Sequence, residues 1–275
     1  MRKFNKKEND ERLCAMLESF CLRHISKNLS ELLCLAETEE QSHRQFLLNV
    51  LESEINGRND CRRHRNYALA HFPPSVRPLE EFDPSELDSG ISAGQIKQLK
   101  ELSWLDSYGN IILAGPPGLG KTMIALGLGL HAINEGYTVC FEKMENFFDI
   151  LTKADYERSA GFRLKSLKKA QLVILDEIGY ATVKKEQANK FFSFISDAYE
   201  KRSIIFTTNK EIPEWAEMMG DPILTTAMLD RILHHARCFS LKGDSYRLKH
   251  PELFLGDTTH GSNDNMEKLS GSERG

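Results

Sequence analysis

No stretch of this 275-residue sequence approaches the run of about 18 apolar residues that a membrane-spanning helix needs. Ile111–Ala114 and Met123–Leu130 are among its longest uncharged apolar runs, so no membrane partner is expected. The opening MRKFNKKENDERL is charged and lacks an apolar core, so no secretory signal is expected either. Neither sign of charge dominates: 36 Lys+Arg face 40 Asp+Glu, for a net −4. That excludes a wholly basic, histone-like surface but leaves room for a local basic face. C-x-x-C spacing is absent among Cys14, Cys21, Cys34, Cys61, Cys140 and Cys238. A disulfide scaffold or thiolate metal centre is therefore not expected, and scattered thiols point to a reducing, cytoplasmic setting. The remainder, 40% hydrophobic and 28% charged, is ordinary globular composition.

Two regimes divide the chain. Residues 1–72 carry helical patterns: Leu13, Met16, Leu17 and Phe20 recur at i, i+3, i+4, i+7. Asn28 with Glu31, and Ser42 with Gln45, each have capping-box spacing, and Phe46, Leu47, Val50 and Leu51 follow the second on one face. A polar break is expected at Asn56-Gly57, ahead of Arg58, Arg62, Arg63, His64 and Arg65. The proline-rich segment 71–78 marks the expected domain boundary. Beyond it, strand candidates Asn110–Ala114, Tyr137–Glu142, Leu172–Asp176, Ser203–Thr208 and Arg237–Leu241 alternate with helical patterns. This alternation predicts an α/β fold with a five-stranded parallel sheet, preceded by a small all-helical domain. Residues 256–275, rich in Gly, Ser, Asn and charge, are expected to be a disordered tail after an ATPase domain at 73–255.

Gly115-Pro116-Pro117-Gly118-Leu119-Gly120-Lys121-Thr122 fits G-x-x-x-x-G-K-S/T between an apolar strand and a helix. In that context backbone N–H groups close around a phosphate chain at a helix N-terminus. Lys121 is expected at the β- and γ-phosphates of ATP, and the Thr122 hydroxyl on Mg²⁺. The apolar run Leu172–Leu175 ends in Asp176-Glu177, 55 residues after Lys121. Asp176 is expected to hold Mg²⁺ and Glu177 to act as general base toward water. Another apolar strand ends at Asn209, where an amide can orient the same water; alone, it is equally a strand-to-turn residue. A glutamate beside the Mg²⁺ aspartate suits hydrolysis, which favours an NTPase over a metabolite kinase.

GPPGLGKT, LVILDE and FTTN, in this order and spacing, resemble an AAA+ ATPase. The narrower blocks LDRILHHA and LKGDSYRLK resemble the IstB-like transposition helper ATPases, relatives of the DnaC loaders and DnaA initiators. The resemblance spans about residues 10–250. It implies that Arg231, in the Asp230-Arg231 dipeptide, acts in trans on ATP bound to a neighbouring subunit of a homo-oligomer; residue chemistry alone leaves a surface arginine paired with an acid. It marks Arg247 as a candidate second nucleotide sensor. It also implies binding to double-stranded DNA and handover to a cognate, IstA-like transposase. The helical domain then supplies Arg58, Arg62, Arg63 and Arg65 as a phosphate-binding patch, for which a solvated helix face is the alternative. A second patch comprises Lys153, Arg158, Arg163, Lys165, Lys168 and Lys169. The adjacent His234 and His235 have no third ligand candidate nearby in sequence, so a zinc site is not expected there. Two other functions remain open: a DnaC-like helicase loader, or a DNA-architectural clamp with ATP as structural glue.

Overall fold

The computed structural model describes residues 6–179 and 183–249. The proposed tail and the side chain of Arg247 lie outside the described residues. The front of the chain forms α1 (Lys6–Ser19), α2 (Arg23–Thr38) and the long α3 (His43–Ala70). Two short 3-10 turns lead to α4 (Ala93–Lys100) and α5 (Ser103–Asp106). Then follow β1 (Asn110–Ala114), α6 (Lys121–Asn134), β2 (Val139–Lys143), α7 (Met144–Lys153), α8 (Arg158–Lys169) and β3 (Leu172–Ile178). The chain continues through α9 (Lys185–Ala198), β4 (Ser203–Thr208), α10 (Glu214–Met219), α11 (Pro222–His234), β5 (Ala236–Ser240) and α12 (Tyr246–Lys249).

All five strands pair in parallel, in the order β2-β3-β4-β1-β5, as the alternation predicts. Successive side chains on a strand point to opposite faces, and each face has its own core. Ile111 and Leu113 join α4, α5 and α6 on one side. Ile112, Val173, Leu175 and Phe206 join α7, α9, α10 and α11 on the other. Because both faces are covered, the strands are apolar throughout, which is what makes them visible in sequence.

The front helices depart from expectation in three places. Asn28 does not open a helix: α2 starts at Arg23, and Asn28 lies inside it, its amide donating to Ser53 Oγ at 3.3 Å. Nor does α3 break at Asn56-Gly57; it runs 28 residues without interruption. Gly57 is there for close approach, since a Cβ would lie 2.2 Å from the His24 ring. The apolar stripe of α1 is unburied, with Met16 49% exposed, and Phe20, in the turn just past the helix, is 71% exposed. By contrast Ser42 caps α3 as expected, accepting from Gln45 N at 3.2 Å.

The end of α3 is fastened to the sheet. Asn66 Nδ2 donates to the carbonyls of Gly136 and Tyr137, and Arg63 Nε donates to Asn134 O at the C-terminus of α6. Arg163 of α8 donates to Leu69 O, Ala70 O and Phe141 O while pairing with Glu142 Oε1 at 2.5 Å. With side-chain exposures of 10% and 7%, Arg163 and Glu142 form an interior strut, which removes Arg163 from the candidate DNA surface. Arg163→Ala strands the Glu142 carboxylate in the interior and is expected to cost about 3–5 kcal/mol in urea unfolding. Arg163→Met with Glu142→Gln should recover most of that loss. Wild-type stability of Arg163→Ala would contradict the strut.

Candidate functional site

The phosphate-loop residues sit where a strand hands over to a helix. β1 ends at Ala114, Gly115–Gly120 turn, and α6 begins at Lys121, so its first N–H groups and positive dipole end face the turn. The turn is shaped by backbone that only glycine permits. Gly115 has φ +144°, and a Cβ there would lie 2.4 Å from Leu241 O, just after β5. The segment after β5 closes the other side: Tyr246 N donates to Gly118 O at 3.0 Å. Lys121 Nζ donates to the Gly115 and Pro116 carbonyls, both at 2.7 Å, and so folds back on the start of its own loop.

The two acids of β3 part company. Asp176 is 2% exposed, and its Oδ1 accepts from Thr122 Oγ1 at 2.8 Å and from Thr207 Oγ1 at 2.5 Å. Burial pushes its carboxyl above the ordinary range, against the opposing hydrogen bonds of Thr207 and Thr122. Glu177 instead is exposed and left-handed, at φ +64°. Between Leu175 and Ile178 the β3–β4 register shifts, a bulge that turns Glu177 out of the ladder. Its carboxylate pairs with Lys143 Nζ at 2.9 Å, and its N–H donates to Thr207 Oγ1 at 2.9 Å. The Glu177 hydrogen bond is the chief reason that the Lys143 ammonium titrates above its ordinary range. Asn209, exposed at the end of β4, places its Oδ1 against Gly179, two residues beyond Glu177.

Thr122, Asp176, Glu177 and Asn209 are thus brought to one edge of the sheet with the loop. Sequence reasoning missed two residues there. Lys143 ends β2 and is in register with Asp176, and Thr207 ties Asp176 to the backbone of Glu177. Both depend on strand order, for which a single sequence has no signal. Arg231 lies elsewhere. It is one turn before the end of α11, whose Ile232 carbonyl accepts from Asn110 Nδ2 at the start of β1. The loop leaves the far end of β1, roughly 13 Å away along the strand. The Arg231 guanidinium rests 5.1 Å from the Phe192 ring centre and donates to Ala227 O.

Most of the basic residues are exposed, Lys153 is half-buried, and several are already engaged. Arg58 pairs with Glu54 at 2.7 Å, Arg63 with Asp60 at 3.2 Å, and Lys153 with Asp149 at 2.9 Å. Arg62 donates to Asn59 Oδ1, and Arg65 is exposed on the same helix. Lys165, Lys168 and Lys169 are exposed on α8. There Arg158 and Lys165 flank the ring of Phe162, an aromatic 56% exposed that sequence reasoning passed over. The histidine pair does have a third ligand-type neighbour: Glu200 lies beside His234 and His235.

A match to the family described as IstB-like ATP binding protein covers residues 15–253. The chain belongs to that family. It is 38% identical to a Pseudomonas aeruginosa protein described as "Insertion sequence IS21 putative ATP-binding protein", over 92% of this chain and 96% of that one. The fold of this IstB-like chain is similar to DnaI, with a TM-score of 0.53, 16% identity, and 62% of this chain and 95% of DnaI covered. It is also similar to AMPPCP-bound DnaA from Aquifex aeolicus, with a TM-score of 0.51, 18% identity, and 69% and 57% covered. These likenesses make the fold that of an AAA+ P-loop domain behind a helical front. Among the described residues, no helix is long and apolar enough to cross a membrane.

The burial of Asp176 carries a pH signature in the ligand-free protein. Its carboxyl titrates above 3.8 when folded, so its ionisation opposes folding. Stability linked to the group is full below the unfolded value and is lost as pH rises through the folded one. Asp176→Asn is therefore expected to unfold a few degrees above wild type near pH 8, with the gain shrinking toward about pH 4. Thermal unfolding across that range checks it. A gain independent of pH, or none, would contradict the burial argument.

Proposed function

We propose that this IstB-like protein hydrolyses ATP with Mg²⁺, assembles on duplex DNA and assists the transposase of an insertion sequence. The observation that carries the reading is the divergence of the two acids on β3: one buried beside the loop threonine, one turned outward toward solvent. A buried carboxylate beside a threonine hydroxyl is the hard oxygen donor set that Mg²⁺ takes, so Thr122 and Asp176 would hold it. Bound there, Mg²⁺ supplies charge neutralisation of the phosphates.

Lys121 exchanges its loop carbonyls for the β- and γ-phosphate oxygens of ATP. Asn209 orients a water, and Glu177 takes its proton as the oxygen attacks the γ-phosphorus. The bond from that phosphorus to the β–γ bridging oxygen breaks, and ADP and phosphate leave. The Lys143 ammonium on Oε2 lowers the basicity of the Glu177 carboxylate, so the Lys143–Glu177 pair holds the ligand-free site back.

Arg231 lies near the opposite end of β1 from its own loop. Its guanidinium therefore serves the γ-phosphate of a neighbouring copy, and turnover depends on assembly. Arg58, Arg62, Arg63 and Arg65 on α3, with Lys153 and Arg158, supply sequence-independent phosphate contacts to DNA. The transposase partner rests on the insertion-sequence descriptions of the relatives.

Mixing subunits tests the reading. Lys121→Ala removes the phosphate cation and Arg231→Ala removes the finger, so each alone is expected to abolish DNA-stimulated phosphate release. Their mixture should recover part of it, because a Lys121→Ala subunit still offers Arg231 to an Arg231→Ala neighbour. No recovery would contradict the finger in trans. Stimulation by single-stranded but not duplex DNA would move the reading to a helicase loader.

A further inference from the structure

A second cluster lies away from the phosphate loop, where the ends of α9 and α11 meet. Tyr199 and Glu200 follow α9, and His234 and His235 close α11. One ligand-type atom from each of Glu200, His234 and His235 lies within 4.8 Å of the other two, and His235 Nε2 is 3.7 Å from Glu200 Oε1. Two imidazoles and a carboxylate are a donor set for Zn²⁺ and its neighbours Co²⁺ and Ni²⁺. A tetrahedral ion with bonds near 2.0–2.1 Å sets its donors about 3.3 Å apart, within reach of small side-chain rotations here.

The surroundings suit that use. Tyr199 Oη is 2.8 Å from His234 Nδ1. Where that phenol oxygen accepts from Nδ1–H, the tautomer is the one whose Nε2 lone pair is free for a metal. Tyr199 also stacks on the His235 ring, its centre 6.2 Å away. Neighbouring cations are turned elsewhere: Arg231 reaches back to Ala227 O, and Arg202 pairs with Asp197. Glu200, moreover, adopts φ +55° just past a helix end, where glycine is favoured.

We propose that Glu200, His234 and His235 form a binding site for a divalent transition-metal ion. All three are exposed, so the ion enters from solvent and leaves one coordination position to water or another ligand. Bound there, it ties the end of α9 to the end of α11, the helix that carries Arg231.

The test uses the full-length, chelator-stripped protein and Zn²⁺ in calorimetric titration, with Co²⁺ absorbance reporting geometry. The free thiols, including Cys61 at 3.8 Å from His24, offer competing sites, so variants decide. Wild type is expected to bind one equivalent more Zn²⁺ than His234→Ala/His235→Ala. Glu200→Gln should weaken that equivalent at least tenfold, and Zn²⁺ should raise the unfolding midpoint of wild type only. Equal stoichiometry and affinity in wild type and the double variant would overturn the proposal and leave only thiol binding. Should the double variant fail to fold, Glu200→Gln alone decides: unchanged Zn²⁺ affinity overturns the site.

Discussion

Asp176 accepts two hydroxyl hydrogen bonds on one buried oxygen, from Thr122 on the phosphate-loop helix and Thr207 on β4. A carboxylate costs several kcal/mol to bury alone, so it is tolerable only with such donors or a cation nearby. That requirement fixes the local geometry. The start of α6 must lie over the end of β3, and β4 must be the neighbour that presents Thr207. The same Thr207 oxygen accepts from Glu177 N–H, so the buried acid and the outward-turned one are set by a single side chain. The left-handed Glu177 backbone is the strain that this arrangement stores at the edge of the sheet beside the phosphate loop.

The helical front is not loosely attached to that edge. Arg163 links the last turn of α3 to Phe141 and Glu142 in β2, and the next residue, Lys143, holds Glu177. Arg63 meets the C-terminus of the helix whose N-terminus faces the phosphate loop. The basic helix therefore touches two of the elements that reach the site, β2 and α6. Charges on α3 that pair locally, such as Arg58 with Glu54, are available to phosphates only by exchanging one partner for another.

Much of the fold is legible because parallel strands buried on both faces are almost uninterrupted apolar runs. Asn110–Ala114 and Ser203–Thr208 are strands over the predicted residues. β2 begins at Val139 rather than Tyr137, whose carbonyl is taken by Asn66 of α3, a contact no local pattern announces. β3 runs on to Ile178 because a bulge absorbs Glu177. Gly57 resembles a helix break in sequence and is instead a crossing point, since the His24 ring that needs its space is 33 residues away. The phosphate loop, Asp176 and Glu177 follow from motif and spacing. Lys143, Thr207 and Glu200 do not, because each acquires its role from a neighbour fixed by strand order or helix packing.

In the proposed function, the outward-turned Glu177 is the proton acceptor for ATP hydrolysis. Glu177→Gln keeps the volume and one acceptor but cannot take a proton, while Lys121, Thr122 and Asp176 are left intact. The most direct measurement is single-turnover phosphate release with ATP and Mg²⁺ on duplex DNA, alongside nucleotide binding. Near-normal ATP binding and hydrolysis slowed by about 10²–10⁴-fold are expected. Hydrolysis at the wild-type rate would contradict that role.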